Sequence, residues 1–100
     1  MFDDLITLVS DEVVIGDRGV QTTLRTRVNV YAKVSSVSAS EFYDAGQAGL
    51  KPAFQFIIFA DEYTGQQDVE YMGIMYRVYR TYRRSKDKLE LYVEAKAGVH

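Results

Sequence analysis

The sequence contains no cysteine and no tryptophan, and it has one proline and one histidine. Without cysteine, the chain cannot form a disulfide, bind a metal through thiolates or use a cysteine nucleophile. The histidine is His100, the last residue, and a terminal side chain is poorly held for catalysis. The glycine patterns of nucleotide-binding loops are also missing. We therefore expect no enzyme and no cofactor.

Long apolar runs are absent too. The longest begins at Phe56 and ends at Ala60, far short of the roughly 18–20 residues needed to cross a membrane. The first residues, Met1 to Asp4, lack the basic and apolar segments of a secretory signal peptide. We expect no membrane association, and the absence of cysteine is compatible with a cytosolic protein.

Acidic residues occur as neighbours at three places, which are Asp3-Asp4, Asp11-Glu12 and Asp61-Glu62. Adjacent side chains on a strand point to opposite faces, so the first two pairs do not converge on one substrate. The acidic residues of 61–70 miss the spacing of a calcium-binding loop. We interpret all three pairs as solvated loop charge and expect no metal site.

What the sequence does contain is alternation. From Leu24 to Val34, apolar and polar residues alternate with period two, which predicts a long antiparallel strand with one buried face. Leu5 to Val9 predicts a shorter strand. The polar stretch from Asp11 to Gly19, which includes Gly16, predicts a turn or mobile loop, with a plain hairpin connection as the simplest form.

One helix is expected between strands. Ser38 followed by Glu41 fits a capping box and predicts a helix from Ala39 to Ala48, with Gly49 as the residue that ends it. A helix this short is not stable alone, so tertiary contacts must hold it. The expected contact residues are Phe42, Ala45 and Leu50.

The second half of the chain reads as further strands. Ala53 to Ala60 is apolar on both faces, which indicates either a central strand covered on both sides or one face in a subunit interface. Residues 61–68 predict an exposed loop, and residues 74–83 and 89–95 a hairpin. We predict one mainly β domain over residues 1–100, a small antiparallel β-barrel with one short helix inserted, and frayed ends at 1–3 and 97–100.

Basic charge is concentrated in residues 77–88, which contain six basic side chains and one acidic one, interleaved with tyrosines. Residues 1–19 and 61–70 are mainly acidic among their charged residues. The basic hairpin could bind nucleic acid through cations and stacking rings, contact another subunit, or simply point its charges into solvent. The sequence leaves these three readings open, although the acidic overall balance argues against the first.

Taken in order, the segments resemble the phage head–tail joining family, in particular the head-closure or stopper proteins of long-tailed siphophages. The pattern is a strand, a short helix beginning S-x-x-E-[FY]-[FY]-x-A, an aromatic-rich strand and a V-x-[YW]-x-G-x-x-Y-x-[IV] hairpin. The matching stretches lie between residues 24 and 93 and read RVNVYAKV (27–34), SASEFYDAGQ (38–47), PAFQFIIF (52–59), VEYMGIMYRV (69–78) and LELY (89–92). One departure is that the chain ends soon after the last strand.

The resemblance implies a small barrel with a helix between strands and a structural role in the virion neck. Such a subunit, made in the bacterial host cytoplasm, forms a homo-oligomeric ring under the portal and adaptor, closes the channel after DNA packaging and presents a docking surface to the tail. The free subunit can be a monomer, and transient contact with packaged DNA is compatible with this place. Two alternatives stay open: a tail terminator or completion ring protein, and a single-stranded nucleic-acid-binding barrel.

From the charge asymmetry we hypothesise that the basic hairpin meets an acidic neighbour in a ring. The predicted interface residues are Arg77, Tyr79, Arg80, Arg83, Ile57 and Phe59. The residues predicted to lie in loops facing the channel or a partner are Asp11, Gly16, Asp61, Glu62, Gly65 and Asp68. The expected partners are the adaptor or portal ring and the proteins at the tail end.

Overall fold

A computed structural model describes residues 2–96 of the chain. In chain order the elements are β1 (Asp4–Ile15), β2 (Gln21–Ser35), α1 (Ala39–Gln47), β3 (Pro52–Phe59), a 3-10 helix (Ala60–Glu62), β4 (Asp68–Tyr71), β5 (Ile74–Arg83) and β6 (Lys88–Ala95). Met1 and residues 97–100 lie outside the described residues, and with them His100 and the predicted frayed C-terminal end.

The six strands form a closed antiparallel barrel in the order β1-β2-β3-β6-β5-β4. This confirms the predicted fold class, a mainly β barrel with one short helix between strands. Alternate side chains of the strands point inward and form one core, made of Ile6, Leu8, Val30, Ala32, Phe56, Ile58, Val69, Tyr76, Leu91 and Val93. Because the barrel closes, its strands pair the edges that an open sheet would expose.

Helix α1 begins at Ala39, as the sequence predicts, and ends at Gln47, one residue before the predicted end. The Ser38 hydroxyl accepts a hydrogen bond from the Glu41 N–H at 3.1 Å. Gly49 has a φ of +84°, a conformation that suits glycine at a helix end. The expectation that Phe42 packs against the barrel is wrong, because its side chain is 58% exposed and Ala45 is the buried helical residue. A small side chain at the contact lets the helix lie close to the barrel.

Strand β5 contains a bulge that the sequence did not reveal. Val78 pairs with Val93 and Arg80 pairs with Tyr92, so Tyr79 is an extra residue. The predicted strict alternation through 74–83 is therefore wrong after Val78. The bulge turns Arg80 to the outer face of the barrel, the face on which Arg77 already lies.

Strands β1 and β2 continue beyond the barrel as a two-stranded arm, residues 10–26. They pair from Asp4 opposite Ala32 to Ile15 opposite Gln21. In contrast, β4 pairs with β1 only at Thr7–Val9, and β3 pairs with β2 only at Lys33–Ser35. The barrel therefore includes only the part of this hairpin farthest from its turn, and the part nearest the turn projects from the barrel.

The arm corrects two predictions. The polar stretch from Asp11 to Gly19 is not all turn or loop, because β1 continues to Ile15 and only residues 16–20 form the turn. The predicted buried face of residues 24–34 is buried at Val30 and Ala32, whereas Leu24 is 53% exposed. The alternation of apolar and polar residues is present, but it continues past the end of the barrel, where the apolar face of β2 is exposed.

Candidate interaction surfaces

The basic side chains of the hairpin are bound within the chain. Arg77 forms an ion pair with Glu94, and Arg80 forms one with Glu41. Arg83 donates to a backbone carbonyl of the β5–β6 turn at 2.8 Å. Acidic partners from the same chain therefore already meet Arg77 and Arg80. The two arginine side chains are still about half exposed, so contact with a neighbouring subunit stays a prediction.

Helix α1 is tied to the bulge by a polar network around Glu41. Its carboxylate accepts a hydrogen bond from the Tyr79 hydroxyl at 2.8 Å and another from Arg80. The Arg80 guanidinium also lies 4.2 Å from the centre of the Tyr92 ring, a cation–π contact. Burial raises the pKa of Glu41, but the hydrogen bonds from Arg80 and Tyr79 outweigh it, so the pKa lies below its ordinary value.

The same network extends into the outer face of β6. The Tyr92 hydroxyl donates to the buried carboxylate of Glu90, which also accepts from Arg84 at 3.1 Å. Burial, together with the hydrogen bond to Glu90, raises the pKa of Tyr92 to about 12. Tyr79, one of the predicted interface residues, is half-buried here, and burial followed by its bond to Glu41 raises its pKa as well.

The structure brings four predicted residues together at one end of the barrel. Phe59, Asp61, Glu62 and Arg83 line a shallow depression of about 860 Å³, together with the β5–β6 turn. Phe59 packs against Phe2 with tilted rings whose centres are 4.7 Å apart, and it stays partly exposed. The depression therefore presents acidic and basic side chains beside an exposed aromatic ring, which makes it suitable for contact with another protein.

A second depression, of about 430 Å³, gathers four more predicted residues. It is lined by Asp11, Gly65, Asp68 and Arg77, beside Lys96. The prediction that Asp68 lies in an exposed loop is wrong, because it begins β4, is 5% exposed and pairs with the Lys96 amine at 2.7 Å. A carboxylate this buried requires such a cation, which makes Asp68 a structural residue.

Two further predicted positions need correction. Asp11 is not in a loop, because it lies in β1 and pairs with Arg25 across the arm at 2.9 Å. The hydrogen bond from Arg25 holds the pKa of Asp11 below its ordinary value. Ile57 is only 5% exposed within this chain, so the subunit itself covers the side chain that was assigned to an interface. Gly16 does lie in the turn at the tip of the arm, as predicted.

Sequence reasoning missed two apolar surfaces. One is the tip of the arm, where Val13, Ile15 and Val20 are all more than 60% exposed. The other is a groove of about 900 Å³ beside α1, which we call the helix groove. Its lining is mainly apolar and includes Val37, Phe42, Tyr43, Pro52 and Ala53. A count of apolar positions in β2 that exceeds what a barrel strand can bury would have indicated the first surface.

Within residues 2–96, no group of three or more His, Cys, Asp or Glu side chains is arranged to hold a metal ion. In the same part of the chain, no helix is long and apolar enough to cross a membrane. Neither models of known protein families nor curated protein sequences gave a match to this chain.

Proposed function

We propose that this protein is a structural ring subunit of a phage neck, a head-closure protein that seals the portal and adaptor channel after DNA packaging and offers a surface to the tail. Its place is the virion, at the head–tail interface, after synthesis in the host cytoplasm. Its partners are the adaptor or portal ring on one side and the tail-end proteins on the other.

The observation on which the proposal rests is the amount of apolar surface that a small barrel leaves uncovered. The arm tip and the helix groove expose large aliphatic and aromatic side chains, and such patches mark protein–protein contact sites in soluble proteins. The sequence resemblance adds independent support, because it implied a small barrel with a helix between strands, and the chain has this fold.

The pairing of the basic hairpin gives less support to nucleic-acid binding. Arg77, Arg80 and Arg84 each donate to a carboxylate of this chain, which neutralises charge that phosphates would otherwise meet. Transient contact with DNA in the channel remains part of the proposal. A single-stranded nucleic-acid binder would instead need several unpaired cations along one groove.

Deleting the gene from its phage or prophage tests the proposed role. We expect particles that have lost their DNA and lie beside separate, finished tails, and full particles after the gene is restored. Binding of the purified protein to purified adaptor-bearing heads, and not to tails alone, would distinguish closure from tail termination. DNA-filled heads in the deletion strain would overturn the closure role.

The predicted basic interface has its own test. Arg83→Glu is the cleaner reversal, because Arg80→Glu would also break the link to Glu41 and disturb α1. We expect Arg83→Glu to weaken assembly onto adaptor-bearing heads while the barrel stays folded. Wild-type assembly by this variant would contradict the assignment of Arg83 to the interface.

A further inference from the structure

We infer that the tip of the arm of one copy docks into the helix groove of the next copy, so that identical subunits join head to tail. This inference deepens the proposed ring function and rests on it. The occupant of the helix groove is thus a second copy of this chain, through the turn and flanking strand ends at residues 13–21.

The two surfaces cannot meet within one molecule. The arm tip lies at the start of β2, and the helix groove begins directly after β2 ends at Ser35. At about 3.3 Å per residue, the 15 residues of β2 span roughly 50 Å. The longest dimension of the molecule is likewise 50 Å. The strand therefore holds the two surfaces at opposite ends of the subunit.

The two surfaces match in chemistry and size. The arm tip presents Val13, Ile15 and Val20, which are aliphatic side chains on a narrow ribbon. The groove is lined mostly by apolar atoms, has Phe42 and Tyr43 on its helical wall, and has a volume of about 900 Å³. A cavity of a few hundred Å³ or more can enclose several such side chains. An aliphatic ribbon end placed against this aromatic helical wall buries surface that both copies otherwise expose.

The chain exposes more surface than a compact monomer of its mass. The chain of 11.4 kDa exposes 6776 Å². A compact monomer of this mass exposes about 5,800 Å². The excess of about 1,000 Å² exceeds the roughly 800 Å² that each partner buries in one standard interface, and it falls short of the roughly 1,600 Å² that two such contacts would take from each copy, so the two contacts of a head-to-tail assembly are smaller than standard. The Cα radius of gyration, 14.8 Å, is also larger than the ~13 Å expected for 100 residues.

The topology then fixes the kind of assembly. Because the arm and the groove are different surfaces, their contact is heterologous, and each copy both gives an arm and receives one. Repetition of a heterologous contact produces a ring when the rotation between copies closes, and a filament when it does not. A ring is the form that the proposed neck function requires.

The absence of cysteine makes a direct test simple, since one introduced thiol is the only labelling site. Val20→Cys carries a nitroxide spin label at the arm tip in unlabelled protein, which is mixed at high concentration with ¹⁵N-labelled wild-type protein. We expect selective loss of the amide signals of Ser36, Ala39, Gly46 and Ala53 in the wild-type copy. Reduction of the nitroxide should restore these signals.

Ser85→Cys, labelled in the β5–β6 turn, is the matched control and should leave the groove signals unchanged. Ile15→Cys gives a second arm label in case Val20→Cys does not fold. Loss of amide signals outside the helix groove with the arm labels would overturn the inference. So would no loss at the highest protein concentration that stays in solution. In either case an adaptor protein, and not a second copy of this chain, would be the remaining candidate partner for the arm. Groove contact together with normal neck formation in the deletion strain would instead support the inference and overturn the proposed function.

Discussion

At the residue scale, Glu41 takes part both in the cap of its own helix and in contacts with residues far away in the sequence. Its backbone N–H completes the cap with Ser38, as the sequence predicts. Its carboxylate does not return to the start of the helix and instead binds Tyr79 and Arg80. Because the Phe42 side chain is exposed and does not pack into the core, the contact of Glu41 with Tyr79 and Arg80 is a main attachment of α1 to the barrel.

Glu41→Gln should therefore destabilise the protein. The substituted amide keeps the shape of the side chain but loses its charge, and a hydrogen bond to a charged group contributes more than a neutral one. We expect a loss of about 1–2 kcal/mol in the free energy of unfolding at neutral pH. Urea unfolding measures it. Asp44→Asn, on an exposed position of the same helix, should change the value by less than about 0.5 kcal/mol.

The pH dependence follows from the direction of the shift. The pKa of Glu41 is lower in the folded chain than its ordinary value of 4.5. A lowered pKa gives stability that is present above the unfolded value and is lost as the pH falls through the folded value. The difference between wild type and Glu41→Gln should thus shrink below pH 4.5. A difference that stays constant on acidification would show that the charge of Glu41 does not matter.

Tyr92 gives a prediction at the opposite end of the pH scale. Its pKa is raised from 10.0 to about 12 by burial and by the bond to Glu90, so its contribution is complete below pH 10.0 and is lost as the pH approaches 12. We expect Tyr92→Phe to lose about 1 kcal/mol at neutral pH. We also expect it to lose one of the phenolate titration steps that lie above the ordinary pKa of 10.0. Tyr82→Phe, which removes an exposed hydroxyl, should change the free energy of unfolding by less than about 0.5 kcal/mol.

At the scale of elements, local signals predicted more than long-range ones. The caps of α1 and the β5–β6 hairpin could be read from residue spacing, because both depend on neighbours in the chain. The bulge at Tyr79 could not, since it depends on which residue of β6 lies opposite. Whether Ile57 and Leu24 are buried also depends on the barrel. The barrel buries Ile57 in β3, whereas Leu24 lies in the part of β2 that extends beyond the barrel and is exposed.

The arm should be separable from the barrel. Glu12 lies opposite Leu24, so residues 13–23 can be replaced by Asn-Gly, which favours a two-residue hairpin turn. Because the removed residues are exposed, we expect the free energy of unfolding to stay within about 1 kcal/mol of wild type. Self-association, measured by sedimentation velocity, should be lost.

The control for this deletion is Asp17→Asn, which keeps the full arm and changes only a polar residue of the turn. It should associate like the wild type. A shortened protein that fails to fold would show that the arm supports the barrel. A shortened protein that still associates would place the contact elsewhere.

At the scale of the whole molecule, the elongated shape and the different surfaces at the two ends together determine how copies can assemble. The subunit measures 50 × 30 × 24 Å, with the arm tip and the helix groove at opposite ends of β2. A molecule with two different contact surfaces at its ends forms polar assemblies, whereas a molecule with one self-complementary surface stops at a dimer. The two arrangements can be told apart by mixing damaged copies.

An arm variant carries Ile15→Asp and Val20→Asp, and a groove variant carries Phe42→Asp and Tyr43→Asp, all at exposed positions. A buried, unpaired carboxylate is costly, so each variant alone should stay monomeric at concentrations where the wild type associates. Mixed in equal amounts, they should form a heterodimer and nothing larger, because one intact arm meets one intact groove. Sedimentation velocity resolves these species. Self-association of the groove variant alone would indicate an arm-to-arm contact and contradict the head-to-tail arrangement.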